Sequence, residues 1–375
     1  MIRAETEVDF ILRRLDAWAE RGAQRLARRR TPGPVRELHI ELTHRCSQRC
    51  VMCHHWVMAR DDRGGAAREL SLAEIRQSVE GSALLAGVES VVLTGGEPWL
   101  RADSTEILAF LAGRFPKARV GVLSNLWDAA LVRRRLAAAR ARGLDRVWIG
   151  SSLDGLGPVH DEVRGRDGAF RRLMASIAMA RAEFPGTEVS LNFTITPRNH
   201  GQLWAAYQHA KALGLWFGAQ MTVNHEGLRA PETAAWKAAE LARVSEQIDG
   251  ILLDLCRGEN AAGRLLEGRE RESLWLWTRL LYWARLKRFA LEPERYFRDC
   301  LAGERFVMLD PEGRLFFCPV NKHRTLGSVR EAPLDELWAA PRARAERRRV
   351  AAGRCACWLN CIAVPVLDRV LAAGL

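Results

Sequence analysis

The sequence has no apolar run long enough to cross a bilayer. Its longest stretch without Asp, Glu, Lys or Arg, Ala212 to His225, falls short of the roughly 18 to 20 apolar residues that a spanning helix requires. An export signal is missing as well: acidic, apolar and basic side chains alternate through Arg30, with no apolar core ahead of a cleavage site. A cytoplasmic location is therefore expected. Low-complexity composition is absent too, since 48% of the 375 residues are hydrophobic and 27% charged, enough to bury one full core and a smaller second one. Acidic residues are in the minority, 45 Asp and Glu against 57 Lys and Arg, and the net charge of +12 admits contact with nucleic acid. Arginine is spread along the whole chain, so a solvated basic surface accounts for the charge and nucleic acid is not the favoured partner.

Without an export signal the nine cysteines do not read as a disulfide framework, and a reducing compartment with metal ligation is expected. They cluster accordingly. Cys46, Cys50 and Cys53 lie together, Cys300, Cys318, Cys355, Cys357 and Cys361 form a second group, and Cys256 stands apart.

Periodicity divides the chain into a basic helix with linker at 1–34, a βα-repeating region at 35–226, a helical connector at 227–294 and a separate cysteine-rich module at 295–375. Strands are expected at Glu37–Leu42, Ser90–Leu93, Arg119–Leu123, Arg146–Gly150, Glu188–Thr194 and Trp216–Thr222. Helices are expected between them at Leu72–Ala86, Ser104–Phe115, Ala129–Gly143, Ala169–Phe184 and Gly201–Leu213. This predicts the α/β class, with a parallel sheet curled into a partial (βα)6 TIM-like barrel whose chemistry sits on loops after the strands. In the connector, Leu274–Leu291 spreads its basic residues around the wheel, which favours a packed bridging helix over a membrane-surface one. In the last module, Arg305–Leu309 and Arg314–Cys318 would flank a hairpin turn.

The loop after the first strand carries Cys46, Cys50 and Cys53. Three thiolates can hold three irons of a 4Fe-4S cluster and leave the fourth open to a chelating ligand. A zinc knuckle that borrows His54 or His55 is the alternative. This CxxxCxxC spacing resembles the signature of radical S-adenosylmethionine (SAM) enzymes, and Gly95, Gly96, Glu97 and Pro98 after the second strand are similar to that family's GGEP segment. The resemblance runs from about Pro34 to Val223. It implies that Gly95–Pro98 receive the SAM ammonium, that Ser124, Asn125, Ser152 and Asp154 lie near its ribose, that Arg164 meets its carboxylate, and that Asn192 belongs to the same site. Where the family usually has an aromatic residue near the adenine, this chain has Met52, whose thioether can also pack on a ring. Ser124, Asn125 and Asp154 read equally well as turn and cap residues.

Cys300, Cys318 and the closing Cys355, Cys357 and Cys361 are similar to the auxiliary-cluster region of the SPASM and twitch branches of the family. Five cysteines allow one auxiliary 4Fe-4S cluster; Cys300, Cys318, Cys357 and Cys361 are the preferred ligands and Cys355 the spare, with zinc the alternative metal. The resemblance implies a flavodoxin- or ferredoxin-type electron donor, reductive SAM cleavage to a 5′-deoxyadenosyl radical, and hydrogen abstraction from a small metabolite or a peptide. The roughly 36 residues before the barrel are expected to be too short for a separate leader-peptide-binding domain, which favours a small molecule or a peptide delivered by a partner. A two-electron oxidation is the expected outcome. The rivals are an epimerase with Cys256 as hydrogen donor, an RNA-modifying enzyme, and a metal-stapled binding protein without catalysis. Trp99, beside the GGEP segment, is a candidate for lining the substrate pocket.

Overall fold

The computed structural model describes residues 4–27, 34–61, 64–222, 235–268, 270–294, 300–320, 322, 324–353 and 356–375. After α1 (Ala4–Ala27), the barrel region runs β1 (Glu37–Thr43), α2 (His55–Asp61), α3 (Leu72–Glu80), β2 (Ser90–Gly95), α4 (Ser104–Arg114), β3 (Arg119–Leu123), α5 (Ala129–Arg140), β4 (Trp148–Ser152), α6 (Pro158–Arg164), α7 (Ala169–Glu183), β5 (Glu188–Ile195), α8 (Leu203–Ala212) and β6 (Trp216–Met221). It continues through α9 (Ala238–Gly258), α10 (Ala261–Leu266) and α11 (Leu274–Leu291) to β7 (Phe306–Leu309), β8 (Leu315–Phe316), α12 (Leu334–Ala339), α13 (Pro341–Ala352) and α14 (Asn360–Gly374).

The strands form one eight-stranded sheet in the order β6-β5-β4-β3-β2-β1-β7-β8, with β1 to β6 mutually parallel. Side chains alternate between its faces. Leu38, Ile40 and Leu42 of β1, Val91 and Leu93 of β2, and Leu191, Phe193 and Ile195 of β5 are fully or almost fully buried in the apolar core. Polar residues occupy the alternate positions, among them Glu37, His39, Glu41, Asn192 and Gln220, and this open face holds the candidate site.

Several expected boundaries move for local reasons. The helix expected over Leu72–Ala86 starts on a capping box between Ser71 and Glu74 but stops at Glu80 with Gly81 as its C-cap; a separate 3-10 turn spans Leu84–Gly87, and the Leu84 N–H donates to Asp335 at 2.8 Å. The fourth strand shifts to Trp148–Ser152 because its register with β5 extends to Ser152 opposite Asn192. The C-terminal module joins the sheet of the barrel. β7 pairs in parallel with β1, from Glu37 opposite Phe306 to Ile40 opposite Leu309, and then turns back antiparallel into β8. All four β7 residues are apolar and buried, so the strand covers an edge of β1 that would otherwise lie unpaired.

The first helix is likewise docked. α1 packs on α14, α11 and α9, and Gly22 lies so close to α14 that a Cβ there would overlap the Val370 carbonyl. α11 buries Trp277, Leu280, Trp283, Leu286 and Phe289, as a packed helix does, and among the described residues no helix is long and apolar enough to cross a membrane. Gly22→Ala should cost about 1–3 kcal/mol by forcing α1 off α14. A lower urea midpoint with unchanged iron content is the expected reading, and an unchanged midpoint would show that the contact yields freely.

Candidate active site

The cysteine loop leaves the C-terminal end of β1 and is held by the backbone of α6: the N–H groups of Arg49 and Val51 donate to the carbonyls of Arg164 and Val163 at 3.1 and 3.0 Å. All three thiols are free and lie close enough to influence one another's ionisation. Burial pushes Cys50 up to about 12 against the pull of the Arg164 guanidinium. Burial also acts to raise Cys53, but His55, by charge and hydrogen bond, brings that thiol down to about 7. The Asn125 amide donates to Cys46 Sγ at 3.5 Å, and Met52 sits half-buried on the same loop.

Behind the loop lies a group that composition alone did not reveal. His55 Nδ1 is 3.4 Å from Cys53 Sγ and its Nε2 is 3.2 Å from Glu41 Oε1. The Lys322 ammonium, from the C-terminal module, donates to the same Glu41 oxygen. Burial would raise the Glu41 carboxyl, yet Lys322 and His55 hold it well below the usual carboxylate range. His55 is driven down by burial and by Lys322, but Glu41 and Cys53 outweigh them and lift it to about 9. Glu41, His44 and His55 present ligand-type atoms within 4.8 Å of one another, although Lys322 already supplies the cation there. The available signal was Glu41 itself, a carboxylate inside an otherwise buried strand. Lys322 carried none.

The GGEP segment follows β2 and crosses the same loop. Gly96 N–H donates to Thr43 O at 2.7 Å and Glu97 N–H to Arg45 O at 2.8 Å, and a Cβ on Gly96 would overlap the Arg45 carbonyl. Gly95 has φ +127°, and Pro98 opens a 3-10 turn. Glu97 is 3% exposed; it accepts from Asn125 N at 2.8 Å, Ser124 Oγ at 3.2 Å and Trp99 N at 3.2 Å. Burial outweighs these bonds and raises its carboxyl to about 7. Trp99 lies in the apolar core, 1% exposed, which removes it from the substrate pocket.

Arg164 is half-buried between Asp154, at 3.0 Å, and Gln48, to which its Nε donates at 2.9 Å. Asp154 is fully buried, and its other oxygen accepts the Thr194 N–H at 2.7 Å, so each carboxylate oxygen already has a partner within the protein. Ser152 is half-buried at the end of β4, opposite Asn192 in register, and the Asn192 carbonyl accepts from the Asn360 amide of α14.

In the second group, burial raises the Cys361 thiol, and Cys318 and Cys357 lie near enough to act on it in the same direction. Cys318 lies two residues beyond β8, whose Phe316 pairs with Met308 of β7, and β7 pairs with β1 from Glu37 opposite Phe306, so Cys318 lies toward the opposite end of β1 from the triad. Cys300 is half-buried, and Cys355 lies outside the described residues. Cys256 is 1% exposed within α9, where burial raises its thiol to about 12 and its charged neighbour is Glu7 on α1. It belongs to the helical layer and not to the site, which counts against a hydrogen-donor role.

Both groups suit iron-sulfur clusters in donor chemistry: each offers several cysteine sulfurs, and the half-buried Arg164 guanidinium lies near enough to the first to offset thiolate charge. Cys46, Cys50 and Cys53 would hold the cluster with an open iron, and Cys300, Cys318, Cys357 and Cys361 would hold the second. The comparisons agree. The radical SAM superfamily model matches residues 40–210, and the SPASM iron-sulfur cluster-binding domain model matches residues 300–362. The chain is 27% identical to the pre-heme d1 synthase of Dinoroseobacter shibae, over 84% of this chain and 75% of that protein. It is 26% identical to the AdoMet-dependent heme synthase of Methanosarcina barkeri, over 80% of each. Its fold is like that of anSMEcpe with bound AdoMet, with a TM-score of 0.56, 14% identity and 82% of both chains covered. With a radical SAM barrel and a cluster-binding C-terminal domain matched in order along one sheet, the chain belongs to the radical SAM superfamily, as a SPASM-type enzyme.

Proposed function

We propose that this enzyme carries out a two-electron oxidation of a small metabolite bound on the open face of the sheet, between the two cysteine groups. The observation that supports it is the position of the triad after the C-terminal end of β1 and of Cys318 after β8, which is joined through β7 to the first residues of β1; the six residue-to-residue rises from Glu37 to Thr43 span about 20 Å. Bound together, the open cluster and SAM supply a 5′-deoxyadenosyl radical, and the auxiliary cluster supplies an electron acceptor. In the overall balance the substrate gives up one hydrogen atom, one electron and one proton, while SAM yields methionine and 5′-deoxyadenosine at the cost of one electron from a flavodoxin- or ferredoxin-type donor. No thiol among the described residues stands on the open face outside the two cysteine groups, which favours electron loss over hydrogen return.

Two relatives that align over most of their length are named heme synthases, so a tetrapyrrole is the small molecule to test first. The open face suits a flat apolar ring: the indole of Trp148 covers Gly121, that of Trp216 covers Gly218, and Leu123 is 37% exposed. On the same reading, Gly95–Pro98 with Ser124 and Asn125 receive SAM, and Arg164 lies toward its carboxylate.

Two outcomes are expected. In Glu97→Gln, SAM affinity measured by equilibrium binding should fall by about ten- to a hundredfold with iron content retained, because a neutral amide replaces a charge-assisted acceptor worth about 1.5–3 kcal/mol. Unchanged affinity would remove Glu97 from the site. Incubated anaerobically with SAM, reductant and an iron porphyrin bearing propionates, the holoenzyme should release one 5′-deoxyadenosine per product two mass units lighter. A mass-neutral product that gains one deuterium from deuterated water would overturn the oxidative reading.

A further inference from the structure

Cys53, His55, Glu41 and Lys322 form a continuous polar chain from the first cysteine group to the C-terminal module. The His55 ring is fixed on both sides, with Nδ1 3.4 Å from Cys53 Sγ and Nε2 facing Glu41 Oε1 at 3.2 Å and Lys322 Nζ at 3.4 Å. Nε2 has two possible partners. In the neutral ring Nε2 accepts from the ammonium and Nδ1 carries the proton; in the imidazolium Nε2 donates to the carboxylate and Nδ1 still carries one, so in both states an Nδ1 proton points at Cys53. When Cys53 is a thiolate ligand, it can only accept. A donor aimed at a ligating sulfur withdraws electron density from it and makes the cluster easier to reduce.

We propose that Glu41 and Lys322 position His55 so that its Nδ1–H donates to Cys53 Sγ and raises the reduction potential of the SAM-binding cluster. Glu41 orients the ring as carboxylates orient metal-bound imidazoles, here one bond further from the metal. Glu41 is 3% exposed and lies on β1, and Lys322 lies four residues beyond Cys318, so the seating of the auxiliary region is felt at the far end of the sheet. Iron-sulfur potentials respond to hydrogen bonds on sulfur and to nearby charge, and both are present here. The inference concerns a positioning group and is independent of the substrate.

The test is an anaerobic redox titration of the reconstituted full chain without SAM, followed by electron paramagnetic resonance of the reduced SAM-binding cluster. His55→Phe removes the donor and fills the space. At the wild-type midpoint, its ratio of reduced to oxidised cluster should fall about tenfold, equivalent to about 59 mV for one electron. His55→Asn places an amide N–H where Nδ1 stood and should recover most of the loss. Lys322→Met leaves the ring in place but removes a positive charge, so its midpoint should move in the same direction by a smaller amount. Unchanged midpoints in His55→Phe and Lys322→Met with full iron content would overturn the proposal. Loss of iron in His55→Phe that His55→Asn does not restore would also overturn it, because His55 would then be a ligand or a structural residue.

Discussion

The site depends on β1 being hydrogen-bonded on both edges. β2 holds one edge through a parallel register that brings Gly95 beside Thr43, and β7 holds the other from Phe306 to Leu309. With neither edge free, β1 cannot slip, and in a strand a slip of one residue would exchange its two faces. Leu38, Ile40 and Leu42 are thereby fixed in the core, and Glu37, His39 and Glu41 in the space between the cysteine groups. The cysteine loop at one end of the strand and Cys318 toward the other inherit their separation from this single constraint. β7 also explains how a chain segment more than 250 residues away delivers Lys322 to Glu41.

Much of this arrangement was legible in the sequence. Alternating apolar runs gave six strands nearly where they lie, and the cysteine spacing with the GGEP segment identified the chemistry, because thiolate ligation and close backbone approach restrict which residues can stand there. The parallel pairing of β7 with β1 was not legible: four apolar residues after a cysteine fit a hairpin arm as well as a sheet strand, and only the tertiary partner decides between them. The partners of Asp154 were not legible for a similar reason. A buried aspartate at a strand end suits a sugar hydroxyl, a backbone N–H or a guanidinium, and its position relative to Arg164 and Thr194 depends on how α6 packs. His55 was singled out as a possible zinc ligand; its contact with Glu41 joins two elements whose meeting no local pattern encodes.

The buried carboxylates show what the site still requires. Glu41 and Glu97 are equally enclosed, each 3% exposed, and burial acts on both to favour the neutral form. They part because of their partners. Glu41 faces an ammonium and an imidazole and stays ionised, whereas Glu97 is met by neutral donors, with Arg164 acting on it more weakly because that guanidinium is tied to Asp154 and Gln48. A buried charge without a counterion is costly, and three hydrogen bonds do not offset the loss of water here, so the carboxyl rises to about 7. An incoming cation at Glu97 would restore the ionised form and gain the strength of a charge-assisted contact in a water-poor setting. Among the buried carboxylates beside the cysteine loop, Glu41 and Asp154 already have cations of their own, and Glu97 is the one whose electrostatics a ligand ammonium would complete.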